Sequence, residues 1–487
     1  MASPEGSISH QGVLPPPSCP LHDQAVPFGG ELLTEQDTGP VWERLRRHWG
    51  AVVPVEVEPG VRAWLLLGYD ENLHVMSNPA LYSHDGRLWR EYREGRVTEN
   101  AATYPVFGRR PNALHSDGEE HARLRPSIVD SLNQLTDVRL RKDIQDLANL
   151  LVDRFAADGR ADLIGQYATQ LPLLVINRFF GLSNEQGHYL VTLMSELWDG
   201  EPDKAVEANE KLLRYMHDLV RLKKERPDQD VTSWMLAHEA DLSEEEAAQQ
   251  LMLILAAAHD PTSNLIGNAM RILLTDRTLR YELTSGQVLL QETLDQVLWL
   301  DPPLQTLAYR IALRDRRLGN VQIQAGDALI LGFAPANADP ALSPPRSGGD
   351  ADFSSNRAHL AWGAGPHRCP AQNIARTIAT TGIEVLIGRL VATRLDAHED
   401  ELRWRPSLFV RGLESLPVRF TPEDRPAEDL SGGGVQRPNG EQPWPEQPPS
   451  RSSSTRTPAT PSSRRDDSAK KAPSSLWNFL ARLFRGQ

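Results

Sequence analysis

From Gln36 to about Pro422, apolar residues recur at helical spacing in one segment after another, and this restricts the fold class more than any other feature. "RLRPSIVDSLN" (Arg123–Asn133), "IQDLANLLVDRF" (Ile144–Phe155), "EEEAAQQLMLILAAA" (Glu244–Ala258) and "IARTIATTGIEVLIGRLV" (Ile374–Val391) each place a stripe on one helical face. Between them lie shorter pieces that read as strands: "VVPVEV", "AWLLLG", "VQIQAGDALIL" and "LPVRFT". The pattern predicts a mainly α domain with small β-sheets at its margin. At 487 residues, a prior of about 150 residues per domain would give three units. The punctuation fits one large helix-rich domain with tails better.

Several classes fall away on composition. The longest apolar run, "LMLILAAA" (Leu251–Ala258), is far short of the roughly 20 residues that span a bilayer. The N-terminus "MASPEGSISHQG" has no basic region leading into an apolar one, so no signal peptide is expected. The cysteines are Cys19 and Cys369 alone, which argues against a disulfide framework and for a reducing cytoplasm. A net charge of −13 argues against nucleic acid as a partner of the main body.

The ends differ from the body. Residues 1–35 are punctuated by Pro and Gly and are expected to be irregular. Residues 423–474 are rich in Pro, Ser, Gly and Arg and read as a disordered linker. In residues 475–487, Leu476, Trp477, Leu480, Leu483 and Phe484 share one helical face, with Arg482 and Arg485 beside it. From Gln447 onward, eight basic residues stand against Asp466 and Asp467, a charge of +6 that leaves −19 for everything before it. A basic linker ending in an amphipathic helix suits an anionic membrane surface or a protein groove, and equally a helix that packs back on its own body or a segment that is simply disordered.

"HLAWGAGPHRCPAQNIAR" (His359–Arg376) carries the chemistry. A Gly/Pro-rich loop holds one cysteine and leads directly into a helix. A thiolate there would feel the positive end of the helix dipole and receive backbone N–H bonds, which depress its pKa. Gly363 and Gly365 allow close approach of something flat or bulky, which Trp362 can cover.

This stretch resembles the haem-binding loop of the cytochrome P450 superfamily, with Trp362 at the usual Phe and Ala371 at the usual Gly after the ligand. The resemblance extends in order along most of Gln36–Pro422. "DGEEHARLRPSI" (Asp117–Ile128) is similar to the helix whose His and Arg meet one haem propionate, which gives His121 and Arg125. "YRIALRD" is similar to the strand whose Arg reaches the other propionate, which gives Arg310, and His367 is a further propionate contact. "ANADP" (Ala336–Pro340) resembles the family's Ala-Asn-Arg-Asp-Pro, with Ala338 at the Arg. Cys19, in "SCPLHD", reads as a surface residue.

"LMLILAAAHDPTSNLIGNAMRILL" resembles the long helix crossing the distal face of the haem. The family pattern sets an acid and a following Thr to organise water and deliver protons. Ala257, Ala258, His259, Asp260, Pro261 and Thr262 stand here. The acid is kept, the next residue is Pro261, and the nearest hydroxyl, Thr262, lies about 100° further round the axis. Pro261 lacks an N–H and crowds the Ala257 carbonyl, so a kink and a free carbonyl are expected.

"QETLDQVLWLDPPLQTLAYRIALRD" (Gln291–Asp315) resembles the helix that ends in Glu-x-x-Arg before Asp-Pro-Pro. Gln296 takes the Glu position and Trp299 the Arg position. In the family this pair braces the proximal loop. Losing one partner would strand a charge at roughly 3–5 kcal/mol, whereas neutral, well-packed replacement of both can be nearly free. Neutral packing is therefore expected here, with the Trp299 indole donating one hydrogen bond.

The resemblance implies a cytochrome P450 fold with haem between the distal long helix and the proximal Cys loop. It implies haem b (iron protoporphyrin IX) on the Cys369 thiolate, cradled by His121, Arg125, Ala258, Arg310, Trp362, Gly363 and His367, with Asp260 and Thr262 as the catalytic pair. It implies a cytoplasmic monooxygenase, peripheral at a membrane if the C-terminal helix docks there. Ferredoxin and ferredoxin reductase would pass electrons from NAD(P)H, and a small organic molecule, such as a natural-product intermediate, would be the substrate. Two other readings of the same site stand beside it: a haem-thiolate sensor with little turnover, favoured by Pro261 and the tail, and a peroxygenase.

Overall fold

The computed structural model describes residues 24–97, 108–183, 186–194 apart from 188 and 191, 202–342, and 356–424. The expected linker beyond Asp424 and the C-terminal amphipathic helix, like Cys19, lie outside these residues, whereas Glu423, placed at the start of that linker, is ion-paired with Arg389 on the body.

Part of the N-terminal segment expected to be irregular is ordered. Val26–Pro27 forms strand β1 and Gly30–Thr34 helix α1. The physical reason is burial: Phe28 is 1% exposed and meets Phe409 edge-on, with ring centroids 6.4 Å apart. Strand β1 adds in parallel to β2 (Val52–Glu58), which forms an antiparallel hairpin with β3 (Val61–Leu66). The sheet is completed by β4 (Tyr82–Ser83), β5 (Thr306–Ala312) and β6 (Ala328–Gly332), in the order β1-β2-β3-β6-β5-β4. Trp64 pairs with Leu329 across β3 and β6, and its indole donates to Asp327 at 3.0 Å. The strand-like pieces of the sequence thus fall at one margin of a helical body. Two smaller sheets take the rest, Arg394–Leu395 with Pro417–Arg419 and Arg160–Asp162, and Arg316–Leu318 with Val321–Ile323.

The helical body follows the apolar stripes. Helices α2 (Gly118–Asn133), α3 (Asp137–Asp153), α4 (Gln170–Phe179) and α5 (Pro202–Glu225) precede the 32-residue α6 (Glu244–Thr275). Helices α7 (Leu290–Leu300) and α8 (Gln372–Arg389) follow. Helix α6 packs against α4, α5, α7 and α8, so it is the central beam. Leu251, Leu255, Leu265 and Ile266 on it are at most 1% exposed. Helix α8 crosses α3 and approaches α4 closely: a Cβ on Gly382 would stand 2.6 Å from the Leu171 side chain, and the Gly382 carbonyl accepts from Tyr167 Oη at 2.6 Å. The helical assignment of α6 continues across Pro261. Pro261 removes one hydrogen bond but does not end the element, because packing on four neighbours outweighs one lost bond. No helix among the described residues is long and apolar enough to cross a membrane.

Ser243 starts α6 with a capping box: its hydroxyl accepts from the Glu246 N–H, and the Glu246 carboxylate accepts from the Ser243 N–H. Ser243→Ala is expected to lower unfolding free energy by about 1 kcal/mol, read from the urea midpoint. An unchanged midpoint would show that tertiary packing alone sets where α6 begins.

Candidate active site

A cavity of about 270 Å³ lies between α6 and the loop before α8. Helix α6 contributes Ile254, Ala257, Ala258, Pro261, Thr262 and Leu265, a face at helical spacing. Across from it stand Trp362, Gly363, His367 and Cys369. Ile128, Ile176, Phe179 and Leu307 close the sides. The polar groups gather at the loop side, where Arg125, Arg310 and His367 join Cys369, and Thr262 brings a hydroxyl from α6.

The loop's shape comes from its glycines. Gly363 and Gly365 have φ of +66° and +68°, in the left-handed region that other residues rarely adopt. A Cβ on Gly365 would lie 2.1 Å from the Met76 carbonyl oxygen, so this residue is fixed by contact as well as by conformation. The Cys369 N–H donates to the Trp362 carbonyl at 2.9 Å, closing the loop on itself. Burial pushes the Cys369 thiol above its ordinary value, although the Ala371 N–H, Arg125 and Arg368 act the other way. The expectation of a depressed thiol is thereby corrected, because desolvation outweighs the helix N-terminus. Such a sulfur is held as thiolate when a cation takes the proton's place.

Beside the cysteine sits a dense basic cluster. His84 stacks on His367 at 3.5 Å between centroids, and His121 lies 4.0 Å from His367 on a second side. Arg310 is 4% exposed, donates to the Tyr309 carbonyl, and is lowered by burial to about 10. Burial also lowers Arg125, which donates to the Arg368 carbonyl. Asp117 accepts from His84 at 3.0 Å and lies 3.8 Å from His367. Among the described residues neither Arg125 nor Arg310 has a carboxylate within ion-pair distance, and the Nε2 atoms of His84 and His121 are buried without a hydrogen-bond partner. A buried Arg310 and a half-buried Arg125 without carboxylates, together with the unpartnered His121 Nε2, suit a ligand that brings its own negative charge. The residues therefore fit a flat apolar group carrying carboxylates at one edge and a metal at its centre. Cys369 could ligate the metal, Arg125, Arg310, His121 and His367 could hold the carboxylates, and Ala258, Trp362 and Gly363 could cover the faces.

The two expected catalytic residues separate. Thr262 faces the cavity, whereas Asp260 does not line it. The Asp260 Oδ1 accepts from Arg405 Nη2 at 2.8 Å, and the same nitrogen reaches Asn264 Oδ1 at 2.8 Å, while Asp260 Oδ2 is buried and unpartnered. Arg405 lies 145 residues after Asp260, and nothing local in the sequence marks the pairing.

The helix end at Gln296 also needs correction. The Trp299 indole donates to the Asn356 carbonyl at 2.7 Å, as expected of a neutral replacement. Charge has nevertheless not left this turn. Asp295, one residue earlier and fully buried, accepts from Arg376 Nη2, with Arg357 Nε at 3.2 Å and His359 Nε2 at 3.7 Å. Sequence reading missed this acid because it looked only at the family's own positions.

Known proteins resemble the chain over most of its length. No family model matches it. Vitamin D(3) 25-hydroxylase of Pseudonocardia autotrophica is 31% identical over 373 residues, 75% of this chain and 89% of that protein. Cytochrome P450 107B1 of Saccharopolyspora erythraea is 28% identical over 390 residues, 79% of this chain and 95% of that protein. The structure of CYP154A1 from Streptomyces coelicolor A3(2) matches with a TM-score of 0.71 at 26% identity, covering 82% of this chain and 99% of that one.

Burial, with Arg110 and Arg109 alongside, pushes His115 in this region down from 6.5 to about 3. Protonation then favours the unfolded chain, so stability present above the unfolded value of 6.5 is lost as pH falls toward 3. Between pH 7 and 5, wild type is expected to lose stability more steeply than His115→Gln, by up to about 1.4 kcal/mol per pH unit. Parallel urea titrations check this, and equal slopes would count against it.

Proposed function

Because the chain belongs to the cytochrome P450 superfamily, we propose that the cavity is the active site of a haem-thiolate monooxygenase acting on a small, uncharged, apolar organic molecule. The observation that carries this reading is the wall itself: Cys369 sits opposite the apolar face of α6 and beside buried Arg310 and half-buried Arg125, neither with a carboxylate partner among the described residues. Bound there, haem supplies dioxygen activation, with the thiolate's electron density favouring O–O cleavage.

The chain's own residues do the rest. Arg125, Arg310, His121 and His367 would hold the carboxylate edge, and Cys369 would ligate the iron. Outside this cluster Thr262 is the one hydroxyl or charged side chain among the described lining residues, so substrate is recognised by apolar shape more than by charge. Thr262 brings a hydroxyl to the cavity, and Ala257, whose carbonyl Pro261 cannot satisfy, lines it one turn away. Together they can hold water where the family's Thr stands. Asp260, ion-paired with Arg405 outside the cavity, passes protons toward them. Electrons come from NAD(P)H through a ferredoxin reductase and a ferredoxin.

The reduced, carbon monoxide-bound protein should show the red-shifted Soret band of a thiolate-ligated haem, and Cys369→Ala should lose it. Its absence from folded, haem-loaded wild type would sink the assignment. With surrogate redox partners, NAD(P)H consumption should depend on substrate and match oxygenated product. Thr262→Ala and Asp260→Asn are each expected to cut product formation by about 100-fold. Uncoupled consumption across a broad substrate panel would favour a sensor, and product from hydrogen peroxide without reductase a peroxygenase.

A further inference from the structure

We propose that Asp295 positions the cysteine loop, acting through Arg376 and Trp362, and so replaces the family's Glu-x-x-Arg brace with one anchored a residue earlier on α7. The inference rests on the haem reading above but uses contacts within this chain alone. Asp295 is 0% exposed, and a carboxylate held that deep must be paired to stay charged. Burial raises its pKa, but His359 at 3.7 Å and the hydrogen-bonded Arg376 guanidinium outweigh this and hold it below the usual carboxylate range.

Its partners come from both sides of Cys369. Arg357 and His359 precede the loop, and Arg376 lies in the first turns of α8 after it. The Arg376 guanidinium is 5.8 Å from the centre of the Trp362 ring, and the Trp362 carbonyl receives the Cys369 N–H at 2.9 Å. A continuous path therefore runs from the buried acid through a cation and an indole to the backbone of the cysteine. A second tie runs parallel to it. Asn337 donates to the Leu298 carbonyl on α7 and accepts from the Leu360 N–H in the loop, both at 2.9 Å. Trp299 fills the neighbouring space edge-on to His359, with centroids 5.8 Å apart. The positions that in the family carry charge are thus occupied by packing, while the charge stands on the adjacent residue.

Shifting the acid by one residue turns its side chain about 100° round the helix. The cation that meets it must then come from another element, and Arg376 on α8 is in place to do so. As a residue acting through others, Asp295 should affect how firmly the loop holds its cofactor and in which protonation state the sulfur binds.

The test uses the full-length, haem-loaded protein with Asp295→Asn, Arg376→Gln, the double variant, Arg376→Lys and Cys369→Ala. Two readouts are followed: the rate of haem transfer to apomyoglobin, and the share of the reduced carbon monoxide complex in the red-shifted thiolate band. Asp295→Asn and Arg376→Gln should each speed haem transfer by roughly 10- to 100-fold and move signal to the unshifted band. Arg376→Lys, which keeps the charge, should fall between them and wild type. The double variant should lose less than the product of the two singles, because removing both partners strands neither. Wild-type transfer and spectrum in Asp295→Asn, or a double variant equal to that product, would overturn the brace. If Asp295→Asn does not fold, wild-type behaviour of Arg376→Gln overturns it equally, and faster transfer with partial recovery in Arg376→Lys supports it. Cys369→Ala separates the two readings. Retention of the red-shifted band there removes the haem-thiolate reading, whereas its loss beside a wild-type Asp295→Asn removes only the brace.

Discussion

The buried carboxylate of Asp295 meets cations from the segments on either side of Cys369, and the placement of the cysteine against the cavity depends on that convergence. A Gly/Pro-rich loop with two residues at positive φ has little regular hydrogen bonding of its own. Its position must be set from outside, by α7 beneath it and by the Met76 carbonyl against Gly365. One deeply desolvated acid is suited to this, because it cannot exchange its partners for water without leaving its pocket.

The cavity shows the complementary imbalance. Around Cys369 the chain leaves polar groups unmatched: buried Arg310, pressed down to about 10, has no carboxylate within ion-pair distance among the described residues, and His121 has an unpartnered Nε2. Such a cluster suits a ligand with carboxylates. The opposite wall is apolar and bears Thr262, with Asp260 turned to Arg405 behind it. The charged groups at the loop and those behind α6 therefore form separate systems on opposite sides of the cavity.

Much of this could be read from local pattern. The stripes that placed helices at Gly118–Asn133, Asp137–Asp153, Glu244–Thr275 and Gln372–Arg389 were strong because each face is buried along its length. Cys369 stood out in its Gly/Pro-rich loop, the resemblance to the family marked His121, Arg125, Arg310 and His367, and the fold brings all five together. Asp295 was passed over although it adjoins Gln296, because its meaning lies in Arg376, 81 residues away. Arg405 had no local signal at all. The short N-terminal strand and helix were missed because their order comes from Phe28 meeting Phe409, a contact between the two ends of the domain.

The sequence by itself determined the helical class and the cysteine loop, which follow from periodicity and from residues close together in the chain, while the groups beside the cysteine were implied by the resemblance of its short segments to the family. Tertiary structure alone decided which charges meet. It turned Asp260 away from the cavity toward Arg405, and it moved the brace from Gln296 and Trp299 to Asp295 and Arg376. The reason is geometric: a rotation of about 100° per residue on a helix sends neighbouring side chains to different elements, and only the packed fold fixes which element waits there.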